Sequence, residues 1–268
     1  MNTATLSDKE FTQFQELIYK QAGITMAPAK KPLVSGRLTK RLRQHGLNSF
    51  GDYYKLLMGG SHPSEMQVAV DLLTTNETYF FRESKHFDFL RDEVLSQHRA
   101  GRPFRVWSAA CSYGQEPYTL AMVLADSLGD IPWEILASDI STQVLERART
   151  GQYALEQAEK VPREFLNRYC LKGVGEQDGT FIVNRELRGR IKFGQINLNQ
   201  PLPAVGEFDV IFLRNVMIYF NNDTKRQVVR RLGAQLRSGG YLVIGHSESL
   251  NGITDEFKVM KPSIYRKP

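Results

Sequence analysis

Between Asp8 and about Leu73 the apolar residues return at helical spacing: Phe11, Phe14, Leu17 and Ile18; Val34, Leu38 and Leu42; Tyr53, Tyr54 and Leu57; Met66, Val70 and Leu73. Each set draws one apolar stripe along one helix face. Gly23, Pro28, Gly46 and Gly59-Gly60 divide the pattern into separate helices, and Ser7 with Glu10 forms a capping box at the first start. The pattern predicts an all-helical N-terminal domain over residues 1–75. TTNETYFFRES then shows no period, and HFDFLRDEVLSQHR resumes a helix ending at Gly101; together they read as a connector.

After Pro103 short apolar runs alternate with amphipathic helices: FRVWSAA, EPYTLAMVLADSL, WEILASDI and TQVLERART. The alternation returns as FDVIFLRNVMIYF, a helix from about Asp223 to Leu236, and GGYLVIGHSES. It predicts a parallel sheet with helical crossovers, an α/β, Rossmann-like domain over residues 76–268 that includes the connector. Between its halves, YCLKGVGEQDGTFIVNRELRGRIKFGQINL places short β-prone runs around a Gly-rich loop, which predicts a small antiparallel insertion at about 169–193. There is no internal repeat or low-complexity tract.

Apolar residues make up 41% of the 268, enough for packed cores without staples. Cys111 and Cys170 are too few for a disulfide framework or a zinc cluster, and the five histidines stand at no ligand or triad spacing, so no metal is expected. MNTATLSDKEFTQF lacks a basic segment followed by an apolar core, and no run approaches the roughly 18 apolar residues of a membrane span; a cytoplasmic protein is expected. The net charge of +6 suits an acidic partner, either nucleic acid or a carboxylate-rich protein. Lys30, Lys31, Arg37, Lys40, Arg41 and Arg43 concentrate it in one short stretch. On the helix of LVSGRLTKRLRQHG, Val34, Leu38 and Leu42 share one face while Arg37, Lys40 and Arg41 group beside it, as a docking surface or a solvated face.

The candidate chemistry begins at VWSAACSYGQEPYTLAMVLAD, Val106 to Asp126: a strand, a turn of small residues (Ser108, Ala109, Ala110, Ser112, Gly114), then a helix starting near Pro117. Small residues let a nucleotide approach the backbone. The G-x-G-x-x-G fingerprint is absent, no P-loop lysine follows, and Glu116 stands where a helix N-terminus would otherwise attract a pyrophosphate. A carboxylate there disfavours phosphate and favours a cation. Asp139 closes the second strand 25 residues beyond Gly114, near the roughly 20 at which an acid takes up ribose hydroxyls. A ribose, positive groups and no pyrophosphate describe S-adenosylmethionine. The alternative is that Glu116 complements its helix dipole and Asp139 caps the next helix.

Joined to TTNETYFFRE (Thr74 to Glu83) and LRNVMIYF (Leu213 to Phe220), the turn makes the chain resemble the chemotaxis receptor methyltransferases of the CheR family, in motif order and over nearly its whole length. The resemblance implies methyl transfer from S-adenosylmethionine to the γ-carboxylate of glutamates on helical chemoreceptors, leaving a methyl ester and S-adenosylhomocysteine. By motif position it places cofactor contacts on Asn76, Thr78, Arg82, Glu116, Asp139, Asn197, Leu198, Arg214 and Asn215. Asp139 holds the ribose, Asn197 and Leu198 border the adenine, and Arg82 and Tyr219 sit beside the methyl group as the catalytic pair. Ordinary readings stand beside these: Arg82 pairing with Glu83 or Glu77, Asn76 as a turn residue, and Phe80, Phe81 and Phe220 as packing. The resemblance also implies receptor recognition by Arg37, Lys40 and Arg41, and capture of an acidic, aromatic-ended receptor C-terminal peptide by the insertion through GVGEQDG. Cys111, Tyr113 and Gln115 occupy variable positions of the turn. A nucleic-acid methyltransferase is disfavoured because LRNVMIYF lacks the Asn/Asp-Pro-Pro-aromatic motif; a cofactor-binding sensor without turnover is the other alternative.

Overall fold

The computed structural model describes residues 4–98 and 101–268. In the N-terminal domain Ser7 caps α1 (Asp8–Ala22): its hydroxyl accepts the Glu10 amide, and the Glu10 carboxylate accepts the Ser7 amide at 2.9 Å. Helices α2 (Lys31–Gln44), α3 (Phe50–Met58) and α4 (Pro63–Leu73) pack their apolar stripes against α1 around Phe14, Ile18, Val34, Leu38, Phe50 and Tyr53. One carboxylate lies inside this bundle. Glu65 accepts Arg41 Nε at 2.7 Å and the Tyr53 hydroxyl at 2.7 Å.

Within the bundle, two arginines of the expected basic face have structural partners. Arg41 points at Glu65, and Arg37 Nη1 donates to the carbonyls of Leu72 (3.0 Å) and Thr74 (2.6 Å), closing the end of α4. Lys40 and Arg43 are exposed. Two of the three expected docking residues therefore hold the bundle together.

The connector is less regular than its spacing suggested. It forms one helical stretch from Lys85 to Gln97, in which α5 (Lys85–Phe89) widens into a π turn at Leu90–Val94 and tightens at Leu95–Gln97; His98 is extended, and residues 99–100, before the expected end at Gly101, lie outside the described residues. The α/β domain follows with β1 (Phe104–Ala109), α6 (Gln115–Leu128), β2 (Trp133–Asp139) and α7 (Thr142–Thr150). An insertion of β3 (Gln152–Ala154), α8 (Arg163–Tyr169), β4 (Cys170–Lys172), β5 (Thr180–Val183) and α9 (Arg185–Gly189) precedes β6 (Ile191–Gln195). Then come β7 (Phe208–Leu213), α10 (Asn222–Ala234), β8 (Leu236–Ile244), β9 (Lys258–Lys261) and β10 (Ile264–Arg266).

The main sheet has seven strands in the order β6-β2-β1-β7-β8-β10-β9, parallel from β6 to β8 and antiparallel beyond. Cores on its two faces centre on Val106, Leu120 and Phe212, and on Trp107, Ile211 and Val228. The insertion is a separate antiparallel sheet, β3-β5-β4, so it begins at Gln152, earlier than expected. Residues 191–193, expected inside it, belong to the main sheet, where β6 runs parallel to β2. No helix among the described residues is long and apolar enough to cross a membrane.

The helical domain is fastened directly to the α/β domain. Asp71 of α4 accepts the amides of Thr142 (3.0 Å) and Gln143 (3.3 Å) and the Thr142 hydroxyl (2.9 Å), so it satisfies donors that the first turn of α7 leaves open. Ile24 bridges Phe220, and the Thr25 amide donates to the Tyr219 carbonyl at 2.7 Å. Gly23 turns left-handed here with φ of 72°, and a Cβ would meet Thr224 Cγ2 at 2.8 Å and Asn199 Oδ1 at 2.9 Å. Replacing Asp71 with Ala is expected to cost about 1–2 kcal/mol, as for a lost helix cap, and to lower Tm by a few degrees. Thermal denaturation of the two proteins measures it.

Candidate active site

The site forms at the C-terminal ends of β1, β2 and β7, where parallel strands leave a crevice. Beyond β1 the chain takes left-handed conformations at Ala110 (φ 70°) and Ser112 (φ 52°), conformations uncommon for residues with a Cβ. What holds them is visible: the Cys111 amide donates to the Ser138 carbonyl (2.8 Å) and the Ser112 amide to Asp139 Oδ2 (2.9 Å). The other Asp139 oxygen accepts the Ser141 amide at 3.0 Å. The turn thus points an amide at the protein's own carboxylate, where related turns cradle phosphate. Burial pushes the Asp139 carboxyl up from its ordinary value, against the hydrogen bonds from Ser141 and Ser112.

Arg214, just past β7, ties three segments together. Its Nη1 donates to Glu116 Oε2 at 2.8 Å; its Nη2 donates to Glu83 Oε2 at 3.1 Å and to the Arg82 carbonyl. The side chain is 2% exposed and lies over the Phe87 ring at 5.4 Å. Glu116 also accepts the Ser108 hydroxyl at 2.7 Å. Glu83 accepts Asn215 Nδ2 and the His246 amide, each at 3.1 Å. Burial opposes ionisation of Glu83, but the hydrogen bond from Asn215 and the charge of Arg214 outweigh it and hold the carboxyl below its ordinary value. Arg214 Nε is buried without a partner.

The connector closes one side. The Ser112 hydroxyl donates to the Asn76 carbonyl (2.8 Å), and the Phe81 amide to the Thr119 hydroxyl (3.2 Å). Arg82 Nη1 donates to the Glu77 carbonyl at 2.8 Å, and its guanidinium lies 5.6 Å from the Tyr79 ring centre, so it pairs with neither nearby carboxylate. Opposite, Asn197 accepts the Asn199 amide (2.9 Å) and donates to the Gln21 carbonyl (2.6 Å), which locks its side chain to α1.

All these segments line one open cleft. Asn76, Thr78, Arg82, Glu116, Asp139, Asn197, Leu198, Arg214, Asn215 and Tyr219 all line it. Arg37, Lys40 and Arg41 do not. Sequence spacing gave no sign of Ala22 and Ile24, which the helical domain contributes to the wall, or of Glu83 as the partner of Arg214. Cys111 also lines the cleft, and burial, followed by the charges of Asp139 and Glu116, pushes its thiol well above the ordinary value.

A Rossmann-like sheet whose first turn is answered by its own acid, Asp139, suits a ligand that offers hydroxyls and positive charge. Residues 76–266 match the CheR methyltransferase SAM binding domain and residues 9–74 the CheR methyltransferase all-alpha domain. The chain belongs to the CheR methyltransferase family, with S-adenosylmethionine as cofactor. It is 43% identical to the chemotaxis protein methyltransferase of Escherichia coli strain K12, over 97% of this chain and 91% of that one. It is 41% identical to the protein of the same name in Salmonella typhimurium, over 97% and 90%, and 44% identical to chemotaxis protein methyltransferase 2 of Pseudomonas aeruginosa, over 90% and 86%.

Arg214→Met leaves Glu83 and Glu116 without their common partner. It is expected to cost roughly 3–5 kcal/mol, as for a broken buried pair, and to weaken S-adenosylhomocysteine binding at least about tenfold by calorimetry. Glu83 ionises below its ordinary 4.5, so the stability it adds is fully present above that pH and lost as pH falls through its folded value. The Tm gap between wild type and variant should therefore narrow on acidification below 4.5.

Proposed function

We propose that this enzyme works in the cytoplasm and transfers the methyl group of S-adenosylmethionine to the γ-carboxylate of glutamates on the helical cytoplasmic part of chemoreceptors. The observation that carries this reading is the convergence of Asp139, Arg214 and the Asn76–Arg82 segment with Tyr219 in one cleft whose described lining includes no histidine. Carboxylate methylation asks for no such base. A glutamate has a reference pKa of about 4.3, so the nucleophile arrives ionised near neutral pH, and a sulfonium donor leaves as a neutral thioether. The chain's task is to bind both partners, exclude water, and hold the carboxylate in line at about 3–3.5 Å from the methyl carbon.

In this reading Asp139 accepts the ribose hydroxyls with the lone pairs that the Ser112 and Ser141 amides leave free. Arg214 and Glu116 face the charged end of the methionine moiety, and Asn197 and Leu198 the adenine. Arg82, held by the Glu77 carbonyl, and Tyr219, whose backbone is pinned to Thr25, sit at the reacting end. The Arg82 fork orients the incoming carboxylate. Receptor docking falls to the exposed Lys40, with Arg43 beside it, because Arg37 and Arg41 are committed inside the helical domain. The free edge of β4, where Leu171 is 63% exposed and the following Val174 79%, suits strand addition by a receptor C-terminal peptide, which raises effective concentration without altering the chemistry.

Methyl label transferred to receptor fragments should be released as methanol by mild alkali; alkali-stable label would reject the ester. Arg82→Ala is expected to lower kcat at saturating substrates by about tenfold or more. Lys40→Glu is expected to raise receptor KM several-fold at low salt with kcat intact, whereas Arg41→Glu should chiefly lower Tm. Leu171→Asp should weaken binding of receptor C-terminal peptides, read by calorimetry, and leave methylation of tail-less receptor fragments unchanged.

A further inference from the structure

Three backbone amides from two loops converge on one carboxylate outside the set of cofactor residues. Glu248, in the loop after β8, accepts the Gly245 amide at 2.7 Å and the Asn215 amide at 3.0 Å on Oε2, and the Ile218 amide at 3.2 Å on Oε1. The last two belong to the segment leaving β7, which ends in the short turn Met217–Tyr219. Asn215 holds φ of 57° there, a left-handed backbone that the Glu248 bond helps to fix. There is no slack in the joint: a Cβ on Gly245 would meet Asn215 Nδ2 at 2.7 Å and Glu248 Oε2 at 2.9 Å.

The segment is therefore held from both sides. Glu248 grips the amide just before Tyr219, and the helical domain grips the Tyr219 carbonyl through Thr25. Arg214 and Asp139 take their positions from other partners, namely Glu116, Glu83 and the Ser112 and Ser141 amides. Loss of Glu248 would leave those standing and release the chain between Asn215 and Tyr219.

We propose that Glu248 is a positioning residue for methyl transfer, fixing the Asn215–Tyr219 segment against the reacting end of the cleft by receiving amides from both loops. The proposal rests on the reading that places this segment beside the transferred methyl group. Glu248→Gln tests it with little change of volume. The amide oxygen can keep the Gly245 and Asn215 bonds, whereas its NH2 then opposes the Ile218 amide, donor against donor.

The full-length wild type, Glu248→Gln and Glu248→Ala are compared by Tm, S-adenosylhomocysteine calorimetry and receptor methylation at saturating cofactor. For Glu248→Gln we expect kcat to fall about ten- to a hundredfold, as for a displacement near 1 Å, while S-adenosylhomocysteine affinity stays within about threefold. Glu248→Ala should lose more kcat and also lower Tm. Gly245→Ala, which presses on the same joint, should copy the Gln variant. Wild-type kcat in Glu248→Gln overturns the proposal, and so does a loss of kcat matched by an equal loss of S-adenosylhomocysteine affinity. Tyr219→Ala, assayed alongside, separates the two readings. A normal rate there with an impaired Glu248→Gln supports the positioning role acting through Asn215 and removes Tyr219 from the chemistry.

Discussion

The buried guanidinium of Arg214 is the contact on which the site depends. It faces two carboxylates, Glu116 at the start of α6 and Glu83 just ahead of α5 in the connector, and it also binds the backbone of Arg82. The cost of removing these charges from water is offset only because the cluster is dense: Ser108, Asn215 and the His246 amide take up further carboxylate lone pairs. A connector with left-handed backbone at Phe81 and Glu83 is thereby held against the sheet. Without that tie the wall carrying Asn76, Thr78 and Arg82 would rest on single hydrogen bonds, from Ser112 to the Asn76 carbonyl and from the Phe81 amide to Thr119.

The turn after β1 solves a related problem with opposite charge. Backbone amides gathered at a strand end attract anions, and many nucleotide-binding folds satisfy them with pyrophosphate. Here Asp139 answers the Ser112 amide and remains beside the cleft. The amide is quenched, the carboxylate is oriented, and a ligand offering hydroxyls and positive charge is favoured over one offering phosphates. Selectivity of cofactor class thus follows from which side of the hydrogen bond the protein supplies.

Much of this was legible along the chain. Apolar spacing revealed the four N-terminal helices, Ser7 and Glu10 marked the first cap, and the interval from Gly114 to Asp139 brought the acid to the end of β2. What stayed hidden depends on partners remote in sequence. Arg37 and Arg41 look like a solvent-facing patch because Glu65 and the carbonyls of Leu72 and Thr74 lie more than a helix away. The run around Ile191–Gln195 is β-prone, but nothing local chooses between a hairpin and the parallel edge beside β2. The closing strands β9 and β10 are four and three residues long, too short for a period to show. The charge on Glu248 carries no local signature, since its partners are backbone amides.

Ala22 and Ile24 give the cofactor cleft a wall that belongs to the helical domain, and the Ile24–Phe220 bridge with the Thr25 bond joins that wall to the segment carrying Tyr219. A helical domain exchanged for that of a relative would bring its own piece of the cleft wall, so the helical surface and the cleft lining would change together. At that seam Gly23 leaves no room for a side chain, so only a domain whose turn approaches Thr224 and Asn199 as closely would fit.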